Sequence, residues 1–384
     1  MKIKFINHAC ISIETEDTMI MFDPWFSGKI FNNSWDLLRE TRLDDLDIRN
    51  LKFIAITHEH PDHLNWATLK QLIISKPELK IIIPKRRNSN VAIALRKMGF
   101  KVAEIPPNRE LQLGNKLRIC NFPSQNDSAY VVVADGKVIL NQNDCYLTDQ
   151  ECKRIKVRYP DIDYHFVQFS LAGYYGNKAE TQKLMHAKQH HIDLVSNYNS
   201  IFKSKVLVPF ASFIYFCRPY NTFLNDWAVT MDDLDKEYQI VFFGDEVLTS
   251  KEHFNRSATN RDRWKEVFAS KRDLFEPERV PKDLIKQAAQ RYLDSIPPGI
   301  QCPPSTSFSF FDEKENLFID FKNKRADFTS SSVNLAGVLT TYDMLLFFKN
   351  PWGADTLNIT SCFEVRDEKL WKQNLIFKDT QYVR

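Results

Sequence analysis

The first half of the chain consists of short apolar segments that are separated by turns and by longer amphipathic segments. Several of the short segments alternate apolar and polar residues, which is typical of β-strands with one buried face. Asp135-Gly136 joins two of them, and this dipeptide favours a tight hairpin turn. The pattern predicts strands at Lys2–Phe5, Ile11–Thr15, Met19–Phe22, Phe53–Thr57, Lys80–Pro84, Leu117–Asn121, Ala129–Ala134 and Val138–Asn141.

Between these strands, apolar residues recur at three- and four-residue steps, which is the spacing of one buried helix face. This spacing predicts helices over Trp66–Ser75, Asn90–Met98 and a longer segment near Lys178–Asn199. Strands and helices that alternate along the chain predict a layered α/β architecture.

The second half of the chain changes character. From Thr249 to about Leu293 the sequence is strongly charged and mostly helical in pattern, and the Pro-rich run SIPPGIQCPPS follows. Beyond this run, SFSFFDEKENLFIDF predicts a β-hairpin and Leu335–Phe348 a helix. We therefore divide the chain into a domain over residues 1–250, a connector over 251–300 and a small α+β module over 301–384.

The overall charge and the cysteines narrow the class of protein. A net charge of +3 over 384 residues demands neither nucleic acid nor an anionic membrane as a partner. The seven Cys are odd in number and never spaced as CxxC, which predicts reduced, buried thiols. The sequence has no apparent signal peptide and no apolar stretch long enough to cross a bilayer. We expect a cytoplasmic protein that acts on a small molecule.

His58, His60, Asp62 and His63, in the run THEHPDHLN, form the strongest chemical signal in the sequence. The run follows a predicted strand directly, and alternate residues that leave a strand point to the same side, so His58 and His60 can converge on one ion. The turn that follows then presents Asp62 and His63 to a neighbouring position. Imidazole and carboxylate together suit Zn²⁺ or Fe. A polar loop with chance histidines is the alternative interpretation.

This run resembles the metal-binding motif of the metallo-β-lactamase superfamily. The resemblance implies an αββα sandwich over about residues 1–250, with one or two divalent metal ions held at its edge. It also implies that Asp23, in the segment MIMFDPW, orients the metal cluster, although a generic turn Asp would explain this residue too.

The same resemblance implies two further metal ligands, and it shows that this sequence lacks one ligand that the superfamily has. Asp127, in SQNDSAYVVV, matches the third ligand, with Asn126 as a weaker alternative, and Asp144, in VILNQNDC, matches the bridging carboxylate. Asp127 stands where most relatives have His, which shifts the preference from Zn²⁺ towards Fe or Mn. A final His is expected at the strand in VLVPFASF, but residues 206–213 contain none. The second metal position is therefore expected to be weak or empty.

Several segments resemble the hydrolase-like portion of CMP-N-acetylneuraminate hydroxylases, namely FDPWFSG, THEHPDHLN, FSLAGYYG and VPFASFIYF. Those hydroxylases also carry a Rieske iron–sulfur domain, whose centre requires Cys and His ligands in close pairs. This sequence has no Cys followed two residues later by His. Hydroxylation by this chain would therefore require an external electron donor.

Two further residues are candidates for contact with substrate. His8, in Asn7-His8-Ala9, occupies the position of an early His in the phosphodiesterase- and lactonase-like members of the superfamily. It is a candidate for contacting substrate or a metal-bound water, and a structural His is the alternative. Arg218, in CRPYN, follows the strand of the absent final His and is a candidate for binding an anionic group.

Three functions remain open from the sequence. The first is a metal-dependent hydrolase, in which Asp62 orients or deprotonates a metal-bound water that attacks a phosphorylated or sugar-nucleotide-like small molecule. The second is a non-haem iron oxygenase with an external electron donor. The third is a non-catalytic binding protein with a degenerate metal site. We rank hydrolysis first because hydrolases predominate in the superfamily.

Overall fold

The computed structural model describes residues 1–86, 89–125, 127–248, 252–270 and 272–380. Fourteen strands and five α-helices of the described residues precede residue 270, in the order β1 (Lys2–Asn7), β2 (Cys10–Glu14), β3 (Met19–Phe22), β4 (Trp35–Leu37), β5 (Leu51–Ala55), α1 (Trp66–Ser75), β6 (Lys80–Pro84), α2 (Asn90–Lys97), β7 (Lys101–Ile105), β8 (Glu110–Gln112), β9 (Leu117–Ser124), β10 (Asp127–Ala134), β11 (Lys137–Asn143), α3 (Asp149–Arg158), β12 (Tyr164–Gln168), α4 (Thr181–Phe202), β13 (Val206–Phe210), β14 (Ile214–Phe216) and α5 (Glu252–Ala269).

Two six-stranded sheets form the centre of this N-terminal domain. One sheet has the order β1-β2-β3-β5-β6-β7, and the other has the order β13-β12-β11-β10-β9-β8. In the first sheet β3, β5, β6 and β7 run parallel, and in the second sheet β11, β12 and β13 do. The remaining pairings in both sheets are antiparallel. The predicted αββα sandwich is thereby confirmed.

Alternating side chains of the strands divide the apolar residues between two cores. Phe53 and Ala55 of β5 belong to the core shared by the two sheets, whereas Ile54 between them packs into a second core with Leu69 of α1 and Leu95 of α2. This alternation follows from the two-residue period of a strand, and it places α1 and α2 on the outer face of the first sheet. On the second sheet, the Phe202 ring of α4 contacts the His165 ring of β12 at a centroid distance of 5.1 Å.

The predicted hairpin between β10 and β11 is confirmed. Ala134 pairs with Lys137 across the turn, and both Asp135 and Gly136 have positive φ, of 48° and 76°. Such a pair of residues matches the twist of the two flanking strands. The turn fixes the register of β11 and hence the position of the residue that follows it, Asp144.

The remaining elements form a C-terminal module that has its own hydrophobic core. The elements of this module are α6 (Lys282–Ser295), β15 (Thr306–Phe310), β16 (Asn316–Asp320), β17 (Arg325–Thr329), β18 (Leu335–Leu339), α7 (Thr341–Lys349), α8 (Gly353–Thr360), β19 (Phe363–Val365) and α9 (Glu368–Thr380). Its five strands form a sheet in the order β17-β16-β15-β18-β19. Ile285, Phe308, Leu317 and Trp371 are among the residues buried in its core.

The single helix predicted over Leu335–Phe348 is wrong, because β18 and α7 divide this segment. Thr340 has extended backbone and its side chain accepts a hydrogen bond from the Asp343 backbone N–H, so the helix begins only at Thr341. At Gly337 of β18, an added Cβ would lie 2.6 Å from the Trp371 ring, so the strand packs closely under that ring. A short apolar run does not by itself distinguish a buried strand from a helix.

The segment predicted as a connector is divided between the two cores. Trp264 of α5 stacks on Phe213 at a centroid distance of 4.3 Å and belongs to the N-terminal core, whereas Ile285 of α6 belongs to the C-terminal core. The boundary predicted at residues 250 and 251 lies outside the described residues.

A buried ion pair joins the C-terminal module to the N-terminal domain. The Arg218 guanidinium donates to both carboxylate oxygens of Asp343, at 2.6 and 2.8 Å, and both side chains are fully buried. Asn221 also donates to the carbonyl oxygen of Thr360 at 2.8 Å. Across the part of the chain that the structure describes, no helix combines the length and the apolar character required to cross a membrane.

Candidate metal centre

The candidate site lies where turns and strand ends of the two sheets meet. His8 follows β1, Asp23 follows β3, and the THEHPDHLN run begins two residues after β5, while Asp144 follows β11 on the other sheet. The backbones of His8, Asp23 and Asn143 have positive φ, of 33°, 42° and 44°. This conformation costs about 1–3 kcal/mol at a residue other than glycine, and such residues cluster at functional sites.

One group of potential ligands consists of His58, His60 and Asp144, whose ligating atoms all lie within 4.8 Å of one another. His58 Nε2 is 2.8 Å from His60 Nδ1 and 3.6 Å from Asp144 Oδ2. Asp127 lies beside this group, with its Oδ1 3.9 Å from His58 Nδ1. We call His58, His60 and Asp144 the open group, because His58 and His60 line a cavity that Asp127 also reaches.

A second group consists of His8, Asp62 and His63, whose ligating atoms also lie within 4.8 Å of one another. Asp62 Oδ2 is 3.1 Å from His8 Nε2 and 3.2 Å from His63 Nε2. All three residues are buried, so we call them the enclosed group. His63 Nε2 also lies 3.3 Å from Asp144 Oδ2, which places Asp144 between the two groups.

Asp23 fixes the orientation of His63. Its carboxylate accepts the Thr57 backbone N–H and the Thr57 hydroxyl, each at 2.8 Å, and its Oδ2 lies 3.0 Å from His63 Nδ1. This contact directs the other ring nitrogen of His63, Nε2, towards Asp62 and Asp144. A carboxylate that holds the far nitrogen of a histidine in this way is typical of metal sites.

The residues present fit a metal ion. Asp62 Oδ1, His63 Nε2 and Asp144 Oδ1 are buried and have no hydrogen-bond partner among the described residues. A buried polar atom without a partner is destabilising, and three of them on neighbouring side chains indicate a missing partner with positive charge. Imidazole nitrogens and carboxylate oxygens together are the ligands of zinc and of non-haem iron.

The pKa values of the site reflect the same crowding of carboxylates. Burial by itself would lower the pKa of His63, but Asp144, Asp62 and Asp23 together hold it well above its usual value. Burial lowers the pKa of His58 to about 3 despite the nearby Asp144. Burial, followed by the charge of Asp144, raises the pKa of Asp127 to about 6. A bound cation would supply the positive charge that this cluster of carboxylates requires.

A cavity of about 350 Å³ opens beside the open group. Its wall includes Trp352 and Asp355 from the C-terminal module, together with Phe31 and Arg86 from the N-terminal domain. Asp355 Oδ2 lies 3.7 Å from His60 Nε2. The C-terminal module therefore forms one side of the space through which a substrate would reach the open group.

The structure brings together most of the residues that the sequence singles out as a site, namely His8, Asp23, His58, His60, Asp62, His63, Asp127 and Asp144. Asn126 lies outside the described residues. Arg218 is placed elsewhere, because its guanidinium is fully buried against Asp343 and has no surface from which to bind a substrate. Sequence reasoning missed Trp352 and Asp355, which carry no recognisable motif.

Comparison with known families agrees with this geometry. Residues 2–162 match the family model described as a beta-lactamase superfamily domain. Over these residues the chain is similar to the β-lactamase superfamily. Its fold is that of the metallo-β-lactamases, as the two facing sheets indicate.

The chain is also similar to curated cytidine monophosphate-N-acetylneuraminic acid hydroxylases, as the sequence segments predict. It is 25% identical to the one from Danio rerio over 235 residues, which cover 58% of this chain and 40% of that protein. It is 30% identical to the one from Xenopus laevis over 153 residues, which cover 38% of this chain and 26% of that protein. The chain therefore spans well under half the length of these relatives.

Among solved structures, the chain is similar to CmlA, a diiron beta-hydroxylase from Streptomyces venezuelae, with 15% identity and a TM-score of 0.43 over 72% of this chain and 52% of that one. It is similar to an isothiocyanate hydrolase from Delia radicum gut bacteria, with 13% identity and a TM-score of 0.43 over 65% of this chain and 99% of that one.

Proposed function

We propose that this protein is a non-haem iron enzyme that hydroxylates a small organic substrate with O₂. The observation that carries the proposal is the composition of the two ligand groups, each of which has two histidines and one carboxylate. Two histidines and one carboxylate with open coordination positions are typical of non-haem Fe(II) oxygenases. Hydrolysis, which the sequence ranks first, becomes the second candidate, since the curated relatives are hydroxylases.

The protein residues have separate tasks in this proposal. His58, His60 and Asp144 would hold one ion at the cavity, with Asp127 beside them, and Asp144 would also contact the second ion. Asp23 keeps the His63 ring in the orientation that leaves Nε2 for the second ion. Iron bound at these positions would supply the activation of O₂. One oxygen atom enters a C–H bond of the substrate and the other leaves as water, with two electrons and two protons from a separate reductant.

Two residues that line the cavity, Trp352 and Arg86, favour a substrate that has a flat ring and an anionic group. Trp352 is half exposed at its wall, and an exposed indole offers a face on which a planar ring can stack. Arg86 in the same wall carries a guanidinium, which suits a phosphate or carboxylate. The hydroxylase relatives are named for a cytidine nucleotide of a sugar acid, and that ligand combines both features. We therefore propose a nucleotide-linked sugar, with an external redox protein as the electron donor.

Metal analysis combined with isotope labelling tests the proposal. Protein purified without added metal is expected to contain iron and to consume O₂ when CMP-N-acetylneuraminate and a reductant are added. With ¹⁸O₂ the product gains one labelled oxygen atom. Protein stripped of metal by a chelator is the control and consumes no O₂. Zinc-loaded protein that cleaves a phosphodiester without O₂ would overturn hydroxylation.

The second candidate is metal-dependent hydrolysis of a phosphorylated small molecule. Its specific support is Asp62, whose carboxylate lies within the enclosed group and next to His63, where it can orient a metal-bound water. Burial opposes ionisation of Asp62, but His63 and His8 hold its pKa well below the usual range, so it is available as a carboxylate. Hydrolysis under anaerobic conditions in H₂¹⁸O would place the label in the product and would favour this candidate.

A further inference from the structure

We infer that His8 is a protein ligand of the second metal ion, where it takes the place of the final histidine that the sequence lacks. The inference rests on the proposed metal centre but holds for either proposed reaction. Its basis is the position of the His8 side chain inside the enclosed group.

The distances around Asp62 fit ligands arranged about one ion. Ligand atoms that each lie 2.0–2.2 Å from a tetrahedrally coordinated ion are about 3.3–3.6 Å apart. His8 Nε2 and His63 Nε2 lie 3.1 and 3.2 Å from Asp62 Oδ2, and His63 Nε2 lies 3.3 Å from Asp144 Oδ2. Two imidazole nitrogens therefore crowd one carboxylate oxygen at nearly the separation that a shared cation would impose.

The turn that carries His8 is held in one conformation. His8 has a φ of 33°, which is a strained value for a residue with a side chain. The Asn7 side chain next to it donates to the Trp25 carbonyl oxygen and to the Thr41 hydroxyl, each at 2.9 Å. The Trp25 ring meets the His8 ring edge to face, at a centroid distance of 5.5 Å. These contacts direct the imidazole at Asp62.

The end of β13 explains why His8 can reach this place. Ala211, directly after β13, is buried and donates its backbone N–H to the His8 carbonyl oxygen at 2.9 Å. A histidine expected near this strand end is absent, and the strand instead supports the turn that presents His8. The enclosed group consequently has three ligands of its own in addition to Asp144, and the weak or empty position expected from the sequence gives way to a complete one.

Metal stoichiometry of His8→Ala protein tests the inference. Wild-type protein loaded with Co²⁺ and passed through a desalting column is expected to retain two ions per chain by elemental analysis. His8→Ala should retain one, with the second ion bound more than about 100-fold more weakly, because loss of a ligand exceeds the effect of losing its orienting partner. His165→Ala is the matched control, since His165 is a buried histidine outside both groups.

Two further measurements separate ligation from a simple hydrogen bond to Asp62. His8→Gln keeps a side-chain donor for Asp62 but should not restore the second ion. Added imidazole should restore it in His8→Gly and should restore the visible absorption of the second Co²⁺. Circular dichroism of the metal-free variants confirms that they fold.

Retention of two tight ions by folded His8→Ala, full stoichiometry in His8→Gln, or a single ion in the wild type would each overturn the inference. Failure of the proposed function is distinguishable from these results. A wild-type protein that binds two zinc ions and hydrolyses its substrate overturns hydroxylation, while the loss of one ion from His8→Ala in that same protein supports His8 as a ligand.

Discussion

The two ligand groups have the same composition but very different surroundings. The side chain of His60 in the open group is 40% exposed and that of Asp127 beside it 26% exposed, whereas the side chains of His8 and His63 in the enclosed group are 1% and 0% exposed. We therefore expect the same set of two histidines and a carboxylate to serve two tasks. An ion in the open group is expected to contact a substrate, and an ion in the enclosed group is expected to be held by the protein alone and to adjust the charge beside it.

The residues that surround the two groups also come from different parts of the chain. Asp23, Thr57 and the Asn7 turn hold the enclosed group, and all of them belong to the N-terminal domain. The cavity beside the open group takes Trp352 and Asp355 from the C-terminal module. Metal retention and substrate selection should therefore respond to different substitutions.

The largest effect is expected at the residue shared by the groups. Asp144→Asn should weaken the binding of both ions by more than about 100-fold, because Asp144 lies within ligand distance of His58 in one group and of His63 in the other. Elemental analysis after desalting measures the loss. Asp149→Asn, at an exposed position on α3, is the control. Retention of one tight ion in Asp144→Asn would show that the groups do not share this carboxylate.

A smaller and one-sided effect is expected from the carboxylate behind the enclosed group. Asp23→Asn should weaken the ion of that group by about 10–100-fold, since an amide orients the His63 ring less firmly and leaves it a poorer ligand. Competition titration with a chromophoric chelator resolves the two affinities. Equal losses for both ions would contradict the separation of the groups. Asp47→Asn, which changes an exposed carboxylate, should leave both affinities unchanged.

A substitution in the wall of the cavity should change the KM for the substrate without changing the metal content. Trp352→Ala is expected to raise KM about 3- to 10-fold, because stacking of a ring on an indole contributes about 0.5–1.5 kcal/mol. Metal content should stay at the wild-type value. Trp66→Ala, at a part-exposed indole on α1, serves as the matched control for KM. A change in metal content with an unchanged KM would show that Trp352 contributes to metal binding and not to substrate binding.

The smallest effect is expected at the contact between Asp355 and His60. The two side chains are about half exposed and 3.7 Å apart, and an ion pair of this kind contributes about 0–1 kcal/mol. Asp355→Asn should therefore change the affinity of the ion in the open group by less than about 5-fold, as measured by the same chelator titration. A larger loss would assign Asp355 a direct part in binding the ion.

The metal-ligand residues at the strand ends can be predicted from the sequence because they lie close to one another along the chain. His58, His60, Asp62 and His63 lie within six residues directly after an apolar strand, and the two-residue period of that strand fixes where the run begins. The Asp135-Gly136 turn likewise sets the register of β11 and so delivers Asp144 to the same edge. Both features follow from short-range rules of strand and turn geometry.

Relations between distant segments were not accessible in the same way. Arg218 has the sequence context of a substrate-binding cation, but its partner Asp343 lies in the C-terminal module. Neither segment contains a sequence pattern that predicts this ion pair. Trp352 and Asp355 reach the cavity only because the C-terminal module packs at that place. His8 was visible as a candidate, but its role depends on the proximity of two turns that are 54 residues apart.

The Arg218–Asp343 pair has a consequence for how such chains can be recombined. Removing one partner of a buried ion pair costs about 3–5 kcal/mol, which is a large part of the stability of an ordinary domain. A chimaera whose crossover lies before residue 218 takes both partners from the relative, and one whose crossover lies after residue 343 keeps both from this chain. A crossover between them leaves one charge buried alone unless the relative supplies its counterpart. Viable exchanges should therefore carry Arg218 and Asp343 as one unit.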